Sequence, residues 1–368
     1  MKVLHINSYY GGGMFYKNLY DKQIEAGLKI DVYVPTPSTE SLMNLELGEY
    51  TIISKNHNKY DRLIFHVKHS KIYKDIIKRF NINAYDISHA HSLFSNGYIA
   101  YKLKKQYGLP YIVAVRNTDV NVFFKKMIHL RKLGIQILKE AGRIIFLSPA
   151  YRDNVISKYV PDKYKKEIEK KSEIIPNGID EFWLKHKPSF SKKINKDKIK
   201  ILHVGQINVN KNLITTVKAI KLLRKEGYNI QYTVVGKIKD KKVFNKIKYE
   251  SFLKYIGWLP KEKLIDVYQE NDILVMPSIN ETFGLVYAEA MSQGLPIIYT
   301  KNQGFDGQFK EGEVGFHVEC FDAKEIANKV KTIIEKYDNL SKNCIVKANK
   351  FNWGVITKKY IQIYSQVY

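Results

Sequence analysis

The densest run of chemically useful side chains is PSINETFGLVYAEAMSQGLP at 277–296, directly behind the apolar stretch DILVM. This order predicts a strand, a loop carrying an acid, and then a helix. Gly284 falls where the backbone turns into that helix, and the N–H groups of a first helical turn suit phosphate oxygens. Glu289 lies about one turn further in, where a carboxylate accepts hydrogen bonds from paired hydroxyls such as those of a ribose. Glu281, ahead of the helix, is placed where a carboxylate could reach a sugar held against the phosphates. Each acid also has a plainer reading, Glu281 as a capping residue and Glu289 as a solvated helix residue.

A second signal is HVGQINVNKNL at 203–213, in which a strand runs into Gly205 and a polar loop bearing Lys211. The loop lacks the Gly-x-x-x-x-Gly-Lys-Ser/Thr spacing of a nucleoside triphosphatase. Lys211 then acts as a point charge on a diphosphate, or is a surface lysine. A third is Gly11, Gly12 and Gly13 behind the first apolar run, which would let the backbone approach a ligand or simply form a loose loop. They do not match the Gly-x-Gly-x-x-Gly dinucleotide fingerprint, which disfavours a nicotinamide or flavin enzyme.

The elements that would position these residues are short Val/Ile/Leu runs alternating with helical stretches. Strand-like runs at 2–6, 30–34, 86–90, 111–115, 143–147 and 173–175 alternate with helical stretches such as 15–27 and 96–107. A polar segment with Pro188 follows at 185–198, after which runs at 199–204, 230–235, 273–276 and 295–299 repeat the pattern. The expectation is α/β architecture: two Rossmann-like doubly wound domains of parallel strands, facing each other across a cleft. The boundaries read 1–182 for an N-terminal domain, 183–198 for a linker, and 199–348 for a C-terminal domain. The tail 349–368 reads as an amphipathic helix packing back on the N-terminal domain, with Trp353, Ile356, Tyr360, Ile361 and Tyr364 at helical spacing.

With 368 residues and 45% apolar content, the chain can bury two cores of ordinary size. Cys320 and Cys344 are its two cysteines, which argues against a disulfide framework and for a reducing compartment. The opening run breaks at Asn7, so it reads as a buried strand and not as a signal peptide. No stretch approaches a membrane-spanning length, and the reading is cytoplasmic. The net charge of +25 is spread as +13 over 1–179 and +12 over the remainder. It admits three readings: a Lys-rich composition, attraction to an anionic membrane surface, or nucleic acid, for which no binding motif is present.

The pair Glu281 and Glu289 within ETFGLVYAEAMSQGLPII, with IIPNGID and VGQINVNKN upstream, resembles the large retaining family 4 of glycosyltransferases with the GT-B fold, over nearly the whole chain. The resemblance implies that Lys211 contacts a donor diphosphate, Glu289 the ribose hydroxyls and Glu281 the donor sugar. It also implies that the backbone of Phe283, Gly284 and Leu285 meets sugar or phosphate, while Gly12 and Gly13 close on the diphosphate from the other domain. Trp258 would border the nucleotide base, and His91, in SHAHSLFSNG, would lie near the reacting sugar or be a core or surface histidine. Two departures stand out. Gln206 occupies a position that usually carries Arg, so one positive charge on the diphosphate is missing. Arg116 stands in place of the usual histidine and faces the expected cleft. Asp119 binds an acceptor hydroxyl or caps a turn.

The implied activity is metal-independent transfer of a hexosyl unit, with retention, from a nucleotide-diphosphate sugar. UDP-sugar is the first choice and GDP-sugar the second, and no Asp-x-Asp metal motif is present. The acceptor would be a glycan or lipid-linked hydroxyl in surface polysaccharide synthesis, met at the inner face of the cell membrane. No cofactor beyond the donor substrate and no metal is expected. A sugar-nucleotide 2-epimerase and a non-catalytic sugar-nucleotide-binding or partner subunit are the alternatives of the same fold.

Overall fold

The structure is a computed structural model describing residues 1–12, 15–39 and 45–368. The chain divides into two compact units. The first comprises Met1–Leu147, Arg152–Gly178 and Trp353–Tyr368; the second comprises Ser148–Tyr151 and Ile179–Asn352.

Seven parallel strands build the first unit: β1 (Lys2–Ile6), β2 (Lys29–Thr36), β3 (Thr51–Lys55), β4 (Ile87–Ala90), β5 (Tyr111–Ala114), β6 (Arg143–Phe146) and β7 (Ser172–Ile174). Their order is β3-β2-β1-β4-β5-β6-β7, so the winding reverses between β1 and β4, where His5 pairs with His89. The central strands are buried, as strands covered on both faces must be; β5 (YIVA) and β6 (RIIF) are apolar runs, whereas β4 (ISHA) buries Ser88 and His89. The final helix, Trp353–Val367, belongs to this unit and buries Trp353, Ile356, Tyr360, Ile363 and Tyr364. The Trp353 ring lies 5.0 Å from Phe15 and so close to Gly178 that a Cβ there would sit 2.4 Å from the indole. Gly178 of the PNGID motif is therefore required by packing.

The second unit has six parallel strands: β8 (Ile199–Val204), β9 (Ile230–Val235), β10 (Leu253–Ile256), β11 (Ile273–Val275), β12 (Ile297–Thr300) and β13 (Gly315–Val318), in the order β10-β9-β8-β11-β12-β13. Residues 183–198 lie within it. There the Lys192 N–H donates to the Ser341 hydroxyl at 3.0 Å and its ammonium donates to the Asn271 carbonyl.

Three strands were not among the sequence runs: β3, β10 and β13. Each closes an edge of its sheet. An edge strand is covered less completely, and β10 (LKYI) leaves Lys254 and Tyr255 exposed and Leu253 and Ile256 half-buried. Such short mixed runs carry little signal.

Both sheets reverse their winding at the strand pair that leads into the candidate residues, β1/β4 and β8/β11, and ligands of open α/β sheets bind beyond the carboxyl ends of strands there. At that end of the second sheet the backbones of Gly205 and Gly236 approach closely. A Cβ on Gly236, whose φ is +143°, would stand 1.9 Å from the Gly205 carbonyl oxygen. Gly236→Ala should thus lower stability by roughly 3 kcal/mol in urea denaturation. Gly227→Ala, at φ +93° with open space around it, should cost about 1 kcal/mol. Equal losses for the two would show that the close approach is not a constraint.

Candidate active site

Lys211 is delivered by a short turn, Val209–Lys211, that follows β8. The turn is built by alternating asparagines. The Asn208 side chain accepts the Lys211 N–H at 3.1 Å. Asn210 accepts the Ile279 N–H on its carbonyl at 2.8 Å, and its side chain exchanges hydrogen bonds with the Asn280 carbonyl (2.9 Å) and N–H (3.0 Å). Asn212, in the left-handed region at φ 52°, donates to the Pro277 and Cys320 carbonyls, and its Oδ1 accepts the Thr215 hydroxyl at 2.7 Å. Asparagine tolerates that backbone conformation and has both donor and acceptor to spend on neighbouring loops. The loop after β8 is thereby fastened to the loop after β11.

The second loop carries Glu281. Its N–H donates to the Gln303 side chain at 3.0 Å, and its carbonyl accepts the Gly304 N–H at 2.9 Å. With the backbone pinned on both sides, the carboxylate reaches Lys211, with Nζ to Oε2 at 2.6 Å and the side chains 20% and 13% exposed. Phe283 is buried against Phe305 and Phe351. Gly284 then takes φ +76° and opens the helix Leu285–Ser292; a Cβ there would meet the Tyr287 ring at 2.5 Å, so glycine is required. Tyr287 donates to the Met276 carbonyl at 2.6 Å, tying the helix to the end of β11. This helix begins a few residues beyond Glu281, and the N–H groups of its first turn point out of its N-terminus.

Glu289 sits partly buried in that helix, and the Tyr268 hydroxyl donates to its Oε2 at 3.1 Å. Burial pushes its carboxyl up to about 7; the Tyr268 hydrogen bond opposes the rise and the Asp180 charge adds to it.

Beside the loop after β8 lies a cavity of about 360 Å³, lined by Gly205, Gln206, Gly236, Lys237, Trp258 and Leu264, among others. Trp258 presents its ring with 63% exposure, and the Lys237 ammonium lies 5.4 Å from the ring centroid. Gln206 is exposed at the rim. Lys237 belongs to no motif that the sequence alone singles out. Its signal was the symmetry of VVGK after β9 with HVGQ after β8. The spacing of the asparagines in INVNKN likewise shows its purpose only once β8 and β11 are neighbours.

In the first unit, Gly12 ends a short turn, Tyr10–Gly12, behind β1; Gly13 lies outside the described residues. Asp119 is fully buried, and its carboxylate accepts three backbone N–H groups: Leu93 (2.9 Å), Phe94 (3.0 Å) and Arg116 (2.8 Å). Of its two expected uses, the geometry is that of a turn cap. Arg116 directs Nε to the His91 carbonyl at 3.4 Å and Nη1 to Asn177 at 3.5 Å.

His91 is also fully buried and presents no exposed atom to a sugar in this structure. It belongs to a layer with His5 and His89, whose nitrogens come within 4.8 Å of one another. Nδ1 of His5 lies 3.0 Å from Nε2 of His91, which also meets the Tyr20 hydroxyl at 3.1 Å; Tyr364 meets His89 at 2.8 Å. Burial holds all three rings neutral, with His5 pushed down to about 3 and the others well below the usual histidine range. The rings of His89 and His91 are stacked at 4.0 Å, whereas ligands of a single tetrahedral ion radiate from it. The arrangement is that of a buried layer in which each ring uses one nitrogen in these contacts, while His5 Nε2, His89 Nε2 and His91 Nδ1 have no hydrogen-bond partner among the described residues.

Two parallel sheets with reversal points at β1/β4 and β8/β11, and charged loops at the second, define the GT-B class of two-domain α/β fold. The model of Glycosyltransferase Family 4 matches residues 9–181, and that of Glycosyl transferases group 1 matches 185–351. The chain belongs to these group 1, family 4 glycosyltransferases, GT-B enzymes of glycan or glycolipid synthesis. A protein of Klebsiella pneumoniae described as "Uncharacterized 41.2 kDa protein in cps region" is 27% identical over 99% of this chain and 99% of its own length. The alpha-monoglucosyldiacylglycerol synthase of Acholeplasma laidlawii is 25% identical over 94% of this chain and 91% of its own. Among solved structures, Anabaena HepE in complex with UDP superposes with a TM-score of 0.73 at 14% identity, covering 99% of this chain and 100% of that one. Among the described residues no helix is long and apolar enough to cross a membrane.

The raised Glu289 pKa has a consequence for stability. The folded state holds this proton more tightly than the unfolded chain, so the contribution is full below the ordinary value of 4.5 and is lost as pH rises through about 7. Glu289→Gln removes the titration. The stability of the wild type relative to this variant, measured by urea denaturation, should fall between those two pH values and level off above them. A difference independent of pH would contradict the assignment.

Proposed function

We propose that the protein is a retaining, metal-independent hexosyltransferase. It moves a sugar from a nucleotide-diphosphate sugar, UDP-sugar in first place, to a hydroxyl of a glycan or lipid-linked acceptor in surface polysaccharide synthesis. The observation that carries this reading is the Lys211–Glu281 pair at the β8/β11 reversal point, beside the start of the helix Leu285–Ser292. A cation and a row of amides suit a diphosphate, and a carboxylate next to them suits sugar hydroxyls. The UDP held by HepE and the glycolipid product named for the Acholeplasma synthase support the donor class and the acceptor class.

In this reading the nucleobase lies against Trp258 in the 360 Å³ cavity and the ribose hydroxyls donate to Glu289. The diphosphate meets Lys211 and the amides at Gly284 and Leu285, behind the buried Phe283 side chain. Lys237 supplies from the end of β9 the positive charge that Gln206 does not. The bond from the anomeric carbon to the diphosphate oxygen breaks with its electron pair going to the phosphate, where Lys211 and the helix stabilise the new charge. The acceptor hydroxyl forms the new bond on the same face, and its proton passes to the departing phosphate. Glu281 holds the sugar while this happens. Gly12, His91, Arg116 and Asp119 shape the end of the first sheet, with Asp119 and His91 acting as positioning residues from below.

A panel of nucleotide sugars should raise the melting temperature, UDP-sugars most. Lys211→Ala should weaken UDP binding by calorimetry about tenfold or more, the cost of a charge-assisted contact. Glu281→Ala should leave UDP affinity within a few-fold yet depress transfer. Affinity should rise as pH passes through about 7, where Glu289 ionises and becomes the better acceptor. Transfer rates untouched by both Lys211→Ala and Glu281→Ala would overturn the assignment, and inversion at the anomeric carbon by NMR would remove the retaining mechanism.

A further inference from the structure

Exposed large apolar side chains are scattered over most of the protein, but in the first unit they gather. Tyr60, Leu63 and Ile64 are 80%, 75% and 60% exposed, in the turn Lys59–Leu63 and the residue that opens the helix Phe65–Arg79; Val67 follows on that helix. Val122 and Ile128 stand exposed on a second segment, the helical turns Asp119–Phe124 and Ile128–Leu130. The two segments are neighbours because an aromatic layer joins them: buried Phe65 meets the half-buried Phe123 ring at 5.9 Å, and Phe123 stacks on buried Phe94 at 4.6 Å. The apolar tips of Tyr60, Leu63, Ile64, Val122 and Ile128 stay outside this layer.

The charge around these tips is one-sided. Residues 55–74 and 121–132 together contain ten Lys or Arg and a single acid, Asp61, which is itself paired with Lys71 at 2.7 Å. Lys59, Lys125, Lys126 and Lys132 are exposed. A patch of apolar tips ringed by cations needs a partner with an apolar phase beneath a negative surface. An anionic bilayer offers both: aliphatic and tyrosyl side chains enter the headgroup boundary, and lysines keep their ammonium groups among the phosphates.

We infer that this face, formed by the segments around Tyr60–Val67 and Val122–Ile128, docks the protein on an anionic lipid surface. Charge complementarity selects this occupant, since a second copy of the same face would bring like charges together. The docking is independent of the donor site, all of whose charged residues lie in the second unit.

The test is co-sedimentation of the full chain with vesicles. Wild-type protein should pellet with phosphatidylcholine vesicles containing phosphatidylglycerol, stay in solution with phosphatidylcholine alone, and be released by salt. The double variant Leu63→Asp/Ile64→Asp should lose about tenfold or more in partitioning, and Lys125→Glu/Lys126→Glu a similar factor. Tyr249→Asp, an exposed aromatic of the second unit, should bind as wild type does. UDP-induced thermal stabilisation should be unchanged in all three variants, which reports intact folding and separates this outcome from failure of the donor site. Equal vesicle binding by wild type and the Leu63→Asp/Ile64→Asp variant would overturn the proposal. So would a wild type that ignores anionic vesicles but self-associates in sedimentation through this face.

Discussion

Everything at the candidate site depends on one contact, the ion pair between Lys211 and Glu281. Two opposite charges 70 positions apart in the chain meet at 2.6 Å with most of their surface withdrawn from water. Desolvating either alone is costly, so each needs the other or an equivalent partner. β8 and β11 are neighbours only because the sheet reverses its winding there, and Asn210 stitches the two loops together with three hydrogen bonds. A bound diphosphate sugar offers both residues new partners of the right kind: phosphate oxygens for the ammonium and hydroxyl donors for the carboxylate. The pair thus holds the site in shape and is also what a donor would exchange into.

The surrounding structure keeps those loops rigid and their approach close. Gly236 lets the ends of β8 and β9 draw together, Gly284 turns the backbone into the helix, and Gly304 lets the following loop pass so near Thr282 that a Cβ would stand 1.8 Å from its carbonyl oxygen. At the matching end of the first sheet, the work is done by buried polar groups. Asp119 gathers three amides, and three neutral histidines with Tyr20 and Tyr364 form a layer. Tyr364 comes from the last helix of the chain, so the final residues complete the first unit. Such networks fix geometry when their groups are satisfied and are costly when they are not.

Much of this was legible in the sequence. Most of the central strands announced themselves as apolar runs because both faces of each sheet are covered, β4 (ISHA) being the polar exception, and the ETFGLVYAEAMSQGLP segment carried the loop, the glycine and both acids in order. The edge strands β3, β10 and β13 were not legible: β3 and β10 are short mixed runs under partial cover, and β13 (GFHV) is four residues long and opens on a glycine. Nor was the depth of a side chain. His91 and Asp119 follow buried strands and look available to a ligand, yet His91 is engaged by His5 and Tyr20 and Asp119 by the Leu93 and Phe94 N–H groups, in each case from another segment of the chain. Lys237 and the asparagines at 208, 210 and 212 were unremarkable as residues, and became functional candidates through a pairing of strands that no local pattern states.

The central claim is that the ends of β8 and β11 hold a diphosphate through Lys211 and the helix that Gly284 opens. A crystal structure with a UDP-sugar tests it most directly. The account predicts the diphosphate within hydrogen-bonding distance of Lys211 Nζ and the amides at Gly284 and Leu285, with the base against Trp258 and the ribose on Glu289. A nucleotide bound elsewhere, with the Lys211–Glu281 contact unchanged at 2.6 Å, would contradict it.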